Sequence, residues 1–251
     1  MSNRWDTAGM LTIGIDVASL PAKTSACRIE WDGRQARVLP MTPSGVSDDD
    51  IRAHLKEGDK VGLDVPLGWP DGFVGAVGRH RDAAPWQDAE LRALRFRRTD
   101  EFVRTHTGLI PLSVSTDLIG VTALRMARLL GTRDRSGAGV AVEVYPAAAL
   151  KIWGFRNRRY KGTKGRAVRA ELVEELRARV DGWLDAAPSE WERFEQSDDA
   201  FDALIASLVA RACAVGRCAR IPEDATETAR REGWIALPDC DALEHLADAG
   251  A

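Results

Sequence analysis

No Cys-x-x-Cys pair occurs among the four cysteines of this chain, Cys27, Cys213, Cys218 and Cys240. That argues against a zinc site or a disulfide framework, and sets the expectation of a reducing, cytoplasmic setting. The four histidines, His54, His80, His106 and His245, show no metal spacing and no nearby Ser or Cys elbow. No apolar run approaches membrane-spanning length, and the first residues carry no charged-then-apolar signal, so no membrane partner is expected. A basic surplus is also missing. The net charge of −3 gives no global attraction to nucleic acid, so any such binding must come from a local patch. Phosphate-loop and dinucleotide fingerprints are absent, as are internal repeats. His80-Arg81-Asp82 shares letters with a kinase catalytic loop, but no glycine-rich loop, matching lysine strand or Asp-Phe-Gly accompanies it.

What is present is an ordinary globular balance, 45% hydrophobic and 29% charged over 251 residues. This suits a single domain, residues 1–251, with a disordered lead-in at 1–9 and an acidic tail at 239–251 that is a helix or a frayed end. Met10–Asp16 and Lys60–Asp64 read as buried strands that stop at an acid, as does the stretch from Gly139 to Glu143. Thr24–Trp31 and Gln35–Met41 flank Asp32-Gly33, a hairpin signal. Ser47 and Asp50 form a capping box for a helix through Leu55. Residues 71–135 lack strand signals and read as a helical insertion, with helices near 88–95, 99–107 and 117–130. Further helices are expected near 146–153, 165–184 and 197–215, and a short edge strand at 233–238. The order implies an α/β layer of three parallel strands with an antiparallel hairpin edge, flanked by helices.

Ligands in open α/β sheets bind outside the carboxyl ends of the strands. If the strands ending at Asp16, Asp64 and Glu143 are parallel neighbours, those acids gather at one sheet edge. Asp199 and Asp202, three apart, project from nearly one face at the head of an apolar, alanine-rich helix. Clustered carboxylates raise one another's pKa, so a cation is needed to keep them ionised. Oxygen ligands without His or Cys favour Mg²⁺ or Mn²⁺, and two such ions activate water for phosphodiester hydrolysis. Taken alone, Asp64 reads as a turn or cap residue, and Asp199 as an acid favoured by the helix dipole. Recurrence at three strand ends and one helix favours a site.

Several segments carry a resemblance to a known family: Gly14-Ile15-Asp16-Val17-Ala18, Gly62-Leu63-Asp64-Val65-Pro66, Val142-Glu143-Val144-Tyr145-Pro146-Ala147, and Asp199 with Asp202-Ala203-Leu204. Arg97-Arg98-Thr99-Asp100, Tyr160-Lys161-Gly162 and Glu232-Gly233-Trp234-Ile235 add to it. In order and spacing, from about residue 11 to 238, the chain resembles the domain of unknown function 429 family, predicted ribonuclease H-like nucleases. The resemblance implies a ribonuclease H-like mixed sheet of five strands, the first three antiparallel and the last two parallel to the first. The Asp199–Asp202 helix is more distantly similar to the last catalytic helix of Holliday-junction resolvases. By position this assigns Asp16, Asp64, Asp199 and Asp202 as metal ligands. Glu143 has no clear counterpart there and is expected to assist.

Two basic segments offer contacts for a nucleic-acid partner. Residues 155–169 hold seven basic residues and no acid. Within them Arg158, Arg159 and Lys161 suit phosphates, and Tyr160 suits stacking on a base. A solvated loop is the equal alternative. Arg92, Arg95, Arg97 and Arg98 form the second. Arg98 suits a phosphate clamp, or pairs with Asp100, the favoured reading; Thr99 reads as the helix cap. Trp69 and Trp86 flank a loop that serves as a lid or, more simply, pack in the core. The expectation is thus a metal-dependent nuclease acting on DNA or RNA. Its rivals are an ATP-handling enzyme of the actin and sugar-kinase type, suggested by Gly14-Ile15-Asp16, and a non-catalytic binding module.

Overall fold

β1 (Met10–Asp16), β2 (Ser25–Asp32) and β3 (Gln35–Val38) form an antiparallel meander. The computed structural model describes residues 9–40, 45–86 and 90–248 of the chain. Met41, residues 1–8 of the lead-in and residues 249–251 of the tail therefore lie outside the described residues. The first helix, α1 (Asp48–Glu57), leads to β4 (Lys60–Asp64), which runs parallel to β1. α2 (Asp71–Arg81), α3 (Leu91–Arg95), α4 (Arg98–Thr107) and α5 (Ile119–Leu130) separate β4 from β5 (Ala141–Val144). Beyond β5 come α6 (Pro146–Ile152), α7 (Arg166–Val180), β6 (Leu184–Asp185), α8 (Pro188–Gln196) and α9 (Asp198–Ala214). The described chain closes with α10 (Thr226–Glu232), β7 (Ile235–Ala236) and a 3₁₀ turn at Leu243–His245 that buries Leu243.

Among the described residues the sheet has seven strands in the order β6-β3-β2-β1-β4-β5-β7, not five. β6 and β7 are two-residue edge additions, parallel to β3 and β5. The helix expected over 165–184 stops at Val180, and its last residues turn back to become β6. The helix expected near 88–95 is described only from Leu91, since 87–89 lie outside the described residues. Three helices went unforeseen. α2 contains Gly72, Gly75 and Gly78, which weaken a helical signal; α8 begins on Pro188 and α10 is one short segment. Among the described residues no helix is long and apolar enough to cross a membrane.

Helices cover both sheet faces. One core cluster joins Cys27, Ile29 and Trp31 of β2 to α6, α7, α8 and α9; the other joins Ile13, Ile15, Val61 and Leu63 to α1 and α5. The alternation along β1 follows: odd residues face α1 and α5, even ones face α9. Thr12 Oγ1 makes a 2.9 Å hydrogen bond with Ser207 Oγ on α9 and accepts another from Trp31 Nε1.

Two glycines set how closely α9 lies on the sheet. Gly14 and Gly62 are register neighbours on β1 and β4. A Cβ on Gly14 would fall 1.9 Å from the Ala203 carbonyl oxygen, and one on Gly62 2.2 Å from that of Ala206. The helix backbone therefore rests directly on the strands. Two residues further, on the same face, are Asp16 and Asp64.

The capping box on α1 is formed as the sequence predicts. Ser47 Oγ accepts from Asp50 N at 3.1 Å, and Asp50 Oδ2 accepts from Ser47 N at 2.8 Å. The hydrogen bonds from Ser47 hold the Asp50 carboxyl below its usual pKa. A depressed folded pKa stabilises above the unfolded value and loses that contribution as pH falls through the folded one. Ser47→Ala should therefore cost about 1 kcal/mol at neutral pH. The difference should shrink below about pH 4. Urea denaturation of both proteins at the two pH values checks this.

Candidate active-site cleft

Asp16 and Asp64 end adjacent parallel strands and are paired in register. They line a cavity of about 450 Å³ together with Glu143, Tyr145, Arg158, Arg159, Tyr160 and Lys161. Asp202, fully buried, comes from α9. Its Oδ1 accepts from the Tyr160 hydroxyl at 2.8 Å, and the Lys161 ammonium lies 2.6 Å from its Oδ2. Asp199, half-buried one turn earlier, lies close enough to Asp16 for the two carboxyls to act on each other. It does not cap the helix; Ser197 Oγ does, accepting from Ala200 N at 3.1 Å.

Four carboxylates thus meet one ammonium. Asp16 and Asp64 keep an edge open to the cleft yet are ringed by protein atoms. Loss of water raises the Asp16 carboxyl well above its usual range, helped by Asp64, Asp202 and Asp199 and opposed by Lys161. Asp64 is pushed up to about 7, chiefly by burial, with Asp202 and Glu143 adding to it and Lys161 resisting. Asp202 is raised by burial against Lys161 and Tyr160, and Asp199 by burial, Asp198 and Asp202. Burial alone would weaken the Lys161 ammonium, but Asp202, Asp64 and Asp16 outweigh it and keep the lysine protonated. The lysine side chain remains 57% exposed, so only its charged end is committed to the acids.

The loop bearing Lys161 is fixed from below. Arg169, 1% exposed, donates to the carbonyls of Tyr160, Glu195 and Gln196, tying the loop to the end of α8 just before α9. Of the seven basic residues in this stretch, this one is structural and does not face a phosphate. Tyr160 is 1% exposed and meets Phe201 edge-on, ring centroids 5.8 Å apart. The expected stacking on a base is therefore corrected. With its faces packed, the ring holds Asp202 through its hydroxyl.

Glu143 sits beside the cluster with a different partner. Arg97 forks onto it, Nη1 to Oε2 at 2.8 Å and Nη2 to Oε1 at 2.7 Å, and Leu67 N adds a bond of 2.9 Å to Oε2. The same guanidinium holds Asp100 through Nε and Nη2 at 3.2 and 2.9 Å. Burial raises the Glu143 carboxyl; Arg97 and the Leu67 amide work against it. The expected Arg98–Asp100 pair does not form. Asp100 is buried on Arg97, and Arg98 pairs at the surface with Asp224 at 2.9 Å. Nor is Thr99 the cap of α4. Asp100 Oδ2 accepts from Arg97 N, while Thr99 Oγ1 accepts from Ile235 N on β7.

Glu232, unassigned by the sequence reading, has a clear role. Its Oε1 accepts from Asp71 N and its Oε2 from Arg98 N, each at 2.7 Å. One carboxylate thus serves the amino ends of α2 and α4, where negative charge is favoured. The segment Glu232–Ile235 was noticeable, but the two amides it serves are far away in sequence. Trp86 is exposed at 51%, against the core position expected, and Trp69 is half-buried.

Among the described residues no group of three or more His, Cys, Asp or Glu is gathered closely enough to hold a metal ion. The cation that meets these acids is the Lys161 ammonium, paired with Asp202. The donor chemistry is nonetheless that of a hard-ion site: Asp16 and Asp64 are all-oxygen, adjacent, partly open and short of counter-charge. Asp202 is instead bound by Lys161 and Tyr160.

Fold and cleft define an α/β protein with an open mixed sheet and an acidic cleft at the carboxyl ends of its parallel strands. The chain belongs to the family described as Protein of unknown function (DUF429), whose model matches residues 14–227. No curated protein and no solved structure matches it.

Proposed function

We propose that this chain is a metal-dependent phosphodiesterase of ribonuclease H-like fold that acts on nucleic acid. The observation that carries the reading is the register pair Asp16–Asp64 facing Asp202 across a glycine-spaced contact. Supporting the fold is the central order β3-β2-β1-β4-β5, with β1–β3 antiparallel and β4 and β5 parallel to β1. That is the arrangement the family resemblance implies.

Asp16 and Asp64, with Asp199 and Asp202, would hold Mg²⁺ or Mn²⁺, which when bound supplies Lewis acidity to water and to a phosphoryl oxygen. The same burial that pushes the Asp64 carboxyl up to about 7 leaves it short of counter-charge, which a bound cation would supply, keeping it ionised. Lys161 and the neighbouring Arg158 and Arg159 attract the phosphate. Glu143, locked to Arg97, shapes the wall beside Asp64 and keeps the strand end fixed.

The test is Asp16→Asn alongside Asp64→Asn. Each should lower Mn²⁺-dependent cleavage of a mixed DNA and RNA substrate panel by about a hundredfold or more. Unchanged cleavage in Asp16→Asn would sink the mechanism. One observation favours a second reading, a non-catalytic binding module: Asp202 is already satisfied by Tyr160 and Lys161. Titration separates the two, because a module binds no Mn²⁺ at millimolar levels.

A further inference from the structure

The walls of the cleft differ in chemistry, and the difference describes a ligand. The floor is acidic, formed by Asp16 and Asp64. One side is basic, with Arg158, Arg159 and Lys161 on the loop that Arg169 anchors. Arg159 holds a left-handed backbone, φ 63°, uncommon outside glycine and a form of local strain found at binding loops. Another part of the lining is apolar, made by Pro111 and Leu112 between α4 and α5 and by Ile119 at the head of α5. Leu112 is 62% exposed, so this wall presents hydrocarbon to whatever enters.

We infer that the cleft takes an unpaired nucleotide unit, in a single strand or at a strand end, with its base on the Leu112 wall and its phosphate between the basic loop and the acids. This rests on the phosphodiesterase reading and narrows its substrate. The cavity of about 450 Å³ has the size of a small-ligand pocket. A B-form duplex presents its phosphates on a broad convex surface, with its bases stacked inside and unavailable to an apolar wall. Asp16 and Asp64 are only partly exposed within the cavity, so a scissile phosphate must enter it to reach them. A single strand can do this because each base is free to leave its neighbours and find a new apolar face. An apolar wall discriminates little among bases, so sequence preference should be weak.

The experiment compares a fluorescently labelled single-stranded oligonucleotide with its fully paired, blunt-ended duplex. Binding by the intact protein is read from anisotropy in Ca²⁺, and hydrolysis in Mn²⁺. A simple diester, bis(4-nitrophenyl) phosphate, reports the acids without a base. The expected result is binding of the single strand about tenfold or more tighter than of the duplex. Leu112→Glu, a substitution at an exposed position, should weaken single-strand binding about tenfold. Equal binding of the duplex, or single-strand binding indifferent to Leu112→Glu, overturns the inference and leaves the phosphodiesterase reading standing. Hydrolysis of the simple diester without binding of either oligonucleotide also overturns it alone. Neither hydrolysis nor binding overturns both.

Discussion

Arg97→Met should destabilise the protein by about 3–5 kcal/mol, the cost of breaking a buried ion pair from one side. Arg97 is 1% exposed and forks onto two buried carboxylates, Glu143 and Asp100. It also donates to the Glu232 carbonyl at 3.2 Å. Methionine fills much of the space but leaves both acids without a counter-charge. Each must then take a proton or draw in water. Burial already pushes the Glu143 carboxyl upward, and losing Arg97 would push it further. The double variant Arg97→Met with Glu143→Gln should recover part of the loss, because the glutamine needs no counter-charge. Equilibrium denaturation of the two single variants and the double gives the coupling energy. Additive costs would show that the fork contributes nothing of its own.

Gly14→Ala should cost about 3 kcal/mol, at the upper end of overpacking, and lower the melting temperature by about 6–12 °C. The added methyl would lie 1.9 Å from Ala203 O, 2.3 Å from Ser207 N and 2.9 Å from Ala206 C. All three are backbone atoms of a helix and cannot rotate aside. α9 must lift, and Asp199 and Asp202 move with it away from Asp16. Stability and cleavage should therefore fall together, although Gly14 touches no substrate. Gly75→Ala is the control. It lies inside α2, a Cβ there meets nothing within 4 Å, and it should be neutral or stabilising by up to about 1 kcal/mol. Calorimetric scans of both variants decide the matter. A Gly14→Ala protein as stable as the parent would refute close packing of the helix on the sheet.

These two positions show what the sequence could and could not reveal. β1, β4 and β5 were legible because Ile13, Ile15, Val61, Leu63 and Val142 form short apolar runs that stop at or beside an acid. Asp16 and Asp64 were legible for the same reason, and Asp202 because an acid in the buried face of an alanine-rich helix is costly without a partner. The partner was not legible. Lys161 lies in a stretch whose composition marks it as solvated or phosphate-binding, and nothing local shows its ammonium turning onto Asp202. Arg97 and Glu143 are 46 residues apart, so their fork is a fact of tertiary structure alone. β6 was hidden because two residues carry no periodicity, and α2 because its glycines oppose a helix that Glu232 and packing sustain.

The bond between Thr12 and Ser207 joins residues 195 apart in the chain. It implies a particular history for each newly made molecule. β1 and β4 leave the ribosome early, with Gly14, Gly62 and the even face of the sheet bare. The helix that covers that face is synthesised only after three quarters of the chain. Until then the central strands lack one side of their core, and loop closure across so long a span slows the final docking. Asp199 and Asp202 join Asp16 and Asp64 only in that last step. This protein should therefore refold slowly from denaturant and depend more than most on chaperones while it is being made.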